Sequence, residues 1–269
     1  DHCRGRVLAP MIPARDPEAF FEAAAAAAGR GAGGLLVTGG SNLDDEVEYG
    51  PFLPAFRRVK ARFPGLRLAV HTGLMDEAGA TALAESGIDI AMVDLVGARD
   101  TVRQVYHLKR EPEDFEHTLA ALQATGLRVV PHIVVGLHYG HLLGEWRALE
   151  MLQRRRPESA VLVVAMPHYA PTHRPFRVPE AEEVAAFLLD ARTALPDTDL
   201  LLGCARPPGA NRARLDAYAV MAGLDGIVQP AEGVVELAER LGRPVRVEAS
   251  CCAAPAEVAA ATPRRAGCG

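Results

Sequence analysis

The stretch LRVVPHIVVG (127–136) decides how the rest of the chain is read. Apart from Arg128 and His132 it is apolar on both faces of the pleat, which suits a parallel strand covered on each side rather than a strand with one wet face. Six more stretches of this kind recur: GGLLVTGG (33–40), LRLAVHTG (66–73), IDIAMVDLVG (88–97), SAVLVVAMP (159–167), DLLLGCARP (199–207) and DGIVQPA (225–231). Amphipathic helical segments at 17–28, 114–124, 144–155, 180–194 and 211–222 alternate with them. The alternation predicts an α/β fold of the TIM-barrel kind, a partial or full βα barrel of parallel strands. In such a barrel a strand precedes each helix, so the strand before helix 17–28 is expected to be missing from the chain.

The 269 residues, 49% of them hydrophobic, suffice for one large core. They divide into a barrel at 1–247, expected to be N-terminally incomplete, and a cysteine-containing tail at 248–269. The net charge is −5 and the basic residues are scattered, so no stripe exists to follow a nucleic-acid backbone. No apolar run of about 18 residues and no signal-peptide pattern occurs, and the expectation is a cytoplasmic protein without membrane contact. The five cysteines, Cys3, Cys204, Cys251, Cys252 and Cys268, are odd in number, which favours reduced thiols kept for metal or catalysis over a disulfide scaffold.

Active sites of parallel barrels form at the C-terminal ends of the strands. There the sequence places Thr38-Gly39-Gly40-Ser41-Asn42, His71-Thr72, Asp94, His132, Gly136-Leu137-His138, Met166-Pro167-His168-Tyr169 and Cys204-Ala205-Arg206. Polar groups and glycines at so many ends predict a ligand-lined mouth. His138 and His141 have a spacing that suits zinc on a helix, but no third ligand is near in sequence.

Several of these segments resemble the radical S-adenosylmethionine superfamily, in its biotin synthase and lipoyl synthase branch. DHC (1–3) resembles the end of the C-x3-C-x2-C loop that binds a [4Fe–4S] cluster, with Cys3 as the third cysteine and the other two ahead of Asp1. VTGGSN (37–42) resembles the Gly-Gly-Glu strand end that receives the methionine amino group, with Ser41 in place of the acid. The resemblance implies that Gly39, Gly40, Ser41 and Asn42 bind S-adenosylmethionine, with Asp94 near the ribose, Arg110 close by, and Gly136 and Leu137 against the adenine. LPDTDLLLGCARPPGANRARLDAYAVMAGLDGIVQ (195–229) resembles the end of the biotin synthase barrel, where an arginine touches an auxiliary cluster. Arg206 falls on that arginine, and Cys204, two residues earlier, is expected to point into the barrel with it.

The nearest pattern is that of the paired biotin-synthase-like proteins that build the lipoyl group in many archaea and some bacteria. The resemblance implies sulfur insertion at unactivated carbons of a protein-bound octanoyl group, through a 5′-deoxyadenosyl radical. Cys3 and Arg206 would be the catalytic residues, and Cys3, Cys204, Cys251 and Cys252 the metal ligands, of a [4Fe–4S] cluster and an auxiliary iron–sulfur cluster. His132 and Tyr169 are the substrate-side candidates. The implied partners are an octanoylated lipoyl-carrier protein, a second radical S-adenosylmethionine protein, and a ferredoxin or flavodoxin as electron donor. Two other functions fit the same residues: a radical enzyme with an unrelated substrate, and a catalytically silent barrel that scaffolds a partner.

Overall fold

In the computed structural model, which describes residues 5–166 and 176–248, all seven expected strands form. They are β1 (Gly34–Val37), β2 (Arg67–Thr72), β3 (Ile90–Asp94), β4 (Arg128–Val135), β5 (Ser159–Val164), β6 (Asp199–Leu202) and β7 (Gly226–Ile227). The strands lie in chain order in one sheet, each parallel to the next. Chain-order parallel pairing requires a crossover between every two strands, and helices supply it.

The helices are α1 (Pro17–Gly29), α2 (Leu53–Arg62), α3 (Glu77–Glu85), α4 (Arg99–Gln104), α5 (Pro112–Ala124), α6 (Glu145–Arg155), α7 (Ala181–Ala194), α8 (Ala210–Ala222) and α9 (Val234–Arg240). Their starts follow from sequence chemistry. Asp16 accepts the Ala19 N–H at 2.8 Å ahead of Pro17, which has no N–H to lose in the first turn. Glu111 and Asp114 close a capping box around Pro112. Four helices have no counterpart in the sequence reading. Pro54 sits in the first turn of α2, Gly79 inside α3, and α4 and α9 have six and seven residues, too few to display a period.

Two apolar clusters show how the sheet is shaped. One packs the helices on the outer face, around Phe56, Phe115, Phe187 and the outward residues of the strands. The other joins Ala69 of β2, Ile90 and Met92 of β3, Val130 of β4, Val161 of β5 and Leu201 of β6. Side chains from five strands meet on one face only when the sheet curls around them, so the strands form an open, barrel-like half-cylinder.

Arg206 and Cys204 do not both point into this cylinder, and that expectation is corrected. Cys204 is exposed, whereas the Arg206 side chain is wholly buried and turns onto α8. Its Nε and Nη2 donate to the two oxygens of Asp216 at 2.5 and 2.9 Å, Nη1 to the Gly203 carbonyl at 2.6 Å, and Nη2 also to the Gln229 carbonyl at 3.1 Å. Asp216 additionally accepts the Ala231 N–H at 2.8 Å. Leu200 and Leu202 face the outer core and Leu201 the inner cluster, so position 206 shares the outward parity, and there the carboxylate of α8 captures the guanidinium in a fork geometry. The pair ties β6, α8 and the segment after β7 together.

Removing one partner of such a pair leaves an uncompensated buried charge. Asp216→Ala is expected to cost about 3–5 kcal/mol of unfolding free energy, and the double variant Arg206→Met/Asp216→Leu to recover most of it, as measured by urea denaturation.

Candidate functional site

A pocket of about 420 Å³ opens at the C-terminal ends of β1, β2 and β3. Its first wall is the segment after β1. Asn42 organises that segment: its Oδ1 accepts the N–H groups of Asp44 at 2.9 Å and Glu46 at 3.0 Å, and its backbone N–H reaches the Glu46 carbonyl at 2.9 Å. Asp45 is held at φ 63°, and its carbonyl accepts the Leu74 N–H at 2.6 Å. This close approach requires Gly73, where a Cβ would stand 1.8 Å from the Asp45 oxygen. The Tyr49 hydroxyl, buried beneath the segment, donates to the His71 carbonyl at 2.8 Å, and burial pushes its pKa up.

The turn leaves Gly39, Gly40 and Ser41 lining the pocket with backbone groups that no hydrogen bond engages among the described residues. Asn42 lines it too, but its side-chain oxygen is committed to the turn.

The second wall is polar. His71 shares an alternation with Ala69 of the inner cluster and so faces the concave side. Its Nε2 lies 3.5 Å from Asp94 Oδ1, and the Tyr106 hydroxyl donates to Asp94 Oδ2 at 3.3 Å. Burial opposes protonation of His71, but the Asp94 carboxylate, helped by Asp45, outweighs it and raises the pKa. The ring of His132 stands 5.7 Å from that of His71, centroid to centroid, and is almost fully buried. Burial first, and the neighbouring His71 second, bring its pKa down to about 4. Because Nδ1 of His132 lies 3.0 Å from the Val130 carbonyl, which only accepts, the proton of the neutral ring sits on Nδ1 and the lone pair on Nε2. The pKa values of the two neighbouring imidazoles are therefore moved in opposite directions.

The structure thus gathers Gly39, Gly40, Ser41, Asn42 and Asp94 around one cavity. Arg110 is not among the residues that line it; its Nη2 lies 3.5 Å from Asp44 Oδ1 and its Nε is buried and unpartnered. Gly136 and Leu137 are elsewhere. The Gly136 N–H donates to buried Glu145 at 2.8 Å, and Leu137 is packed into the outer, helix-facing core rather than against the pocket. Cys3, Cys251, Cys252 and Tyr169 lie outside the described residues. His138 faces His141 across an isolated bridge, not along a helix, with Nδ1 3.2 Å from the Thr101 hydroxyl. Among the described residues no group of three or more His, Cys, Asp or Glu side chains is placed to hold a metal ion.

The sequence reading missed Tyr49, Tyr106 and the pairing of His71 with Asp94. A histidine and an aspartate at successive strand ends were a usable signal. Tyr106 follows a helix too short to be seen.

No protein-family model and no curated protein matches the chain. Solved structures do. HydG, a maturase of the [FeFe]-hydrogenase, superposes with a TM-score of 0.58 at 14% identity, over 80% of this chain and 50% of HydG. Methylornithine synthase (PylB) gives 0.57 at 15% identity, over 85% of this chain and 73% of PylB. The HMG-CoA lyase from Brucella melitensis gives 0.50 at 15% identity, over 71% of this chain and 75% of that enzyme. The chain spans half the length of the HydG structure. At this level of identity the likeness is one of fold: these proteins share with the chain the curled sheet of parallel strands crossed by helices.

The two histidines are expected to act on stability in opposite directions. His71, with its raised pKa, contributes stability that is complete below about pH 6.5 and lost as pH rises through its folded value. His132 contributes stability present above about pH 6.5 and lost as pH falls through about 4. Side-chain NMR titration should show one histidine titrating above 6.5 and one still neutral at pH 5.

Proposed function

We propose that the chain is an enzyme of the radical S-adenosylmethionine kind, and that the pocket at β1–β3 is its S-adenosylmethionine site. The observation that carries this reading is the unengaged backbone of Gly39–Ser41 along a pocket of about 420 Å³. Carbonyls left without partners beside a cavity suit an ammonium group, and the volume falls in the range of cofactor sites, about 300–1,000 Å³. Asp94, Tyr106 and His71 supply the polar contacts, while Val47, Val93, Leu108 and Phe115 line the pocket with apolar surface for a nucleoside. Bound there, S-adenosylmethionine would supply the alkyl radical precursor. This chain's part is to orient the molecule and keep water from it.

The described residues do not fit a [4Fe–4S] cluster. Cys204 is the one cysteine among them, it stands at the end of β6, and no three ligands converge. No step is therefore routed through a cluster. Within the superfamily, sulfur insertion into a protein-bound octanoyl group is the finer reading, and it rests on the sequence resemblance alone, since Arg206 is saturated by Asp216 and the backbone. An octanoylated carrier protein, a second radical protein and an electron donor follow from that reading.

Equilibrium dialysis with S-adenosylmethionine tests the site. A Cβ at Gly40 meets no atom within 4 Å, so Gly40→Phe is expected to fold normally while its ring occupies space beside the pocket. Wild-type binding that falls at least about tenfold in Gly40→Phe, a change of about 1.4 kcal/mol, supports the reading. Absence of wild-type binding, or equal binding by the variant, contradicts it.

A further inference from the structure

The inner face of the half-cylinder is built in layers, and its two ends differ in charge. On β2, β4 and β6 the residues Leu68, Val129 and Leu200 face the outer core, whereas Ala69, Val130 and Leu201 form an apolar layer inside. Two residues beyond that layer stand His71 and His132, whose ring centroids are 5.7 Å apart. Two residues before it stand Arg67, Arg128 and Asp199. A step of four residues is a whole number of pleat repeats, so Arg67 and Arg128 face each other at the N-terminal end as the two histidines do at the rim.

Neither arginine is neutralised. Among the described residues neither guanidinium has an ion pair or a hydrogen bond, and Arg128 Nε is buried without a partner. Asp199 belongs to the same layer, but Arg128 on β4 stands between it and Arg67 on β2, and it pairs with neither. Two further carboxylates at this end are committed elsewhere: Asp89 accepts from Lys60 at 2.8 Å and from the Leu68 N–H at 2.7 Å, and Asp225 accepts from Arg192 at 2.7 Å and from the Leu200 N–H at 2.8 Å. Glu158 is exposed and has the outward parity. Ser159 of β5, with the inward parity, is wholly buried and its hydroxyl has no partner. The layer thus holds a surplus of donors and of positive charge. Two like charges facing each other in a half-buried place repel, and an anion between them turns that repulsion into attraction.

We propose that Arg67 and Arg128 form a phosphate site at the N-terminal end of the inner face, which takes a phosphate group either as the free ion or as the monoester of a small molecule. A dianion supplies the counter-charge that both arginines lack, and its tetrahedral oxygens meet two planar guanidinium forks at once. Partial exposure leaves both side chains open to a ligand arriving from solvent. The site lies at the opposite end of the strands from the pocket at β1–β3 and does not depend on the adenosyl reading of that pocket.

The test is NMR of the arginine Nε–H groups together with calorimetry, with inorganic phosphate and glycerol 3-phosphate as probes and sodium chloride at matched ionic strength as the control. Phosphate should shift the Arg128 Nε–H saturably, and sodium chloride should not. Arg67→Gln and Arg128→Gln should each weaken phosphate binding by about tenfold or more, as expected for the loss of one charge-assisted contact. Neither substitution breaks an ion pair, so both variants should fold, with urea midpoints equal to or above that of the wild type. Tighter binding of glycerol 3-phosphate than of inorganic phosphate assigns the site to an ester, and equal or weaker binding assigns it to the free ion. No saturable shift in the wild-type protein, an equal shift with sodium chloride, or undiminished binding in either variant overturns the proposal.

Discussion

Parallel pairing in chain order puts the C-terminal end of every strand on one rim, because each crossover helix returns the chain to the opposite rim before the next strand starts. The pocket depends on that constraint. Thr38, His71 and Asp94 are separated by tens of residues in sequence, yet they line one pocket, with His71 3.5 Å from Asp94. The curl of the sheet then closes the inner face below them with Ala69, Met92 and Val130, which gives the histidines a desolvated floor. Burial lowers the pKa of both His71 and His132, and the Asp94 carboxylate at the rim reverses the direction for His71.

Two acid–base pairs in this fold show how placement divides structure from function. Arg206 and Asp216 are both wholly buried, and each is saturated by further hydrogen bonds within the chain. Such a pair holds elements in place and has nothing to offer a ligand. His71 and Asp94 are about a quarter exposed and stand at a cavity wall, so their polarity remains available to whatever enters. The same chemistry at the last strand locks the barrel, and at the second and third it addresses the solvent-filled mouth.

Strand existence was legible because buried parallel strands write themselves as apolar runs that glycine and proline interrupt. The glycine-rich end of β1 was legible as a binding wall for the same reason, since no packing demand explains Gly40. Arg206 misled because an apolar strand does not show which parity faces inward: Leu201 does, while Leu200 and Leu202 face the helices, and Arg206 follows them onto Asp216. Leu137 misled because it follows Gly136 at φ 78°, a left-handed turn that redirects the chain. His71 and Asp94 were each visible, but their partnership is a property of register and stagger, and no single segment carries it.

Hydrogen–deuterium exchange in the presence and absence of S-adenosylhomocysteine tests most directly whether the rim of β1–β3 is where this protein meets its ligand. The account predicts slowed exchange confined to peptides covering 38–49, 71–75 and 94–108. Protection centred on the ends of β5 and β6, with 38–49 unchanged, would contradict it.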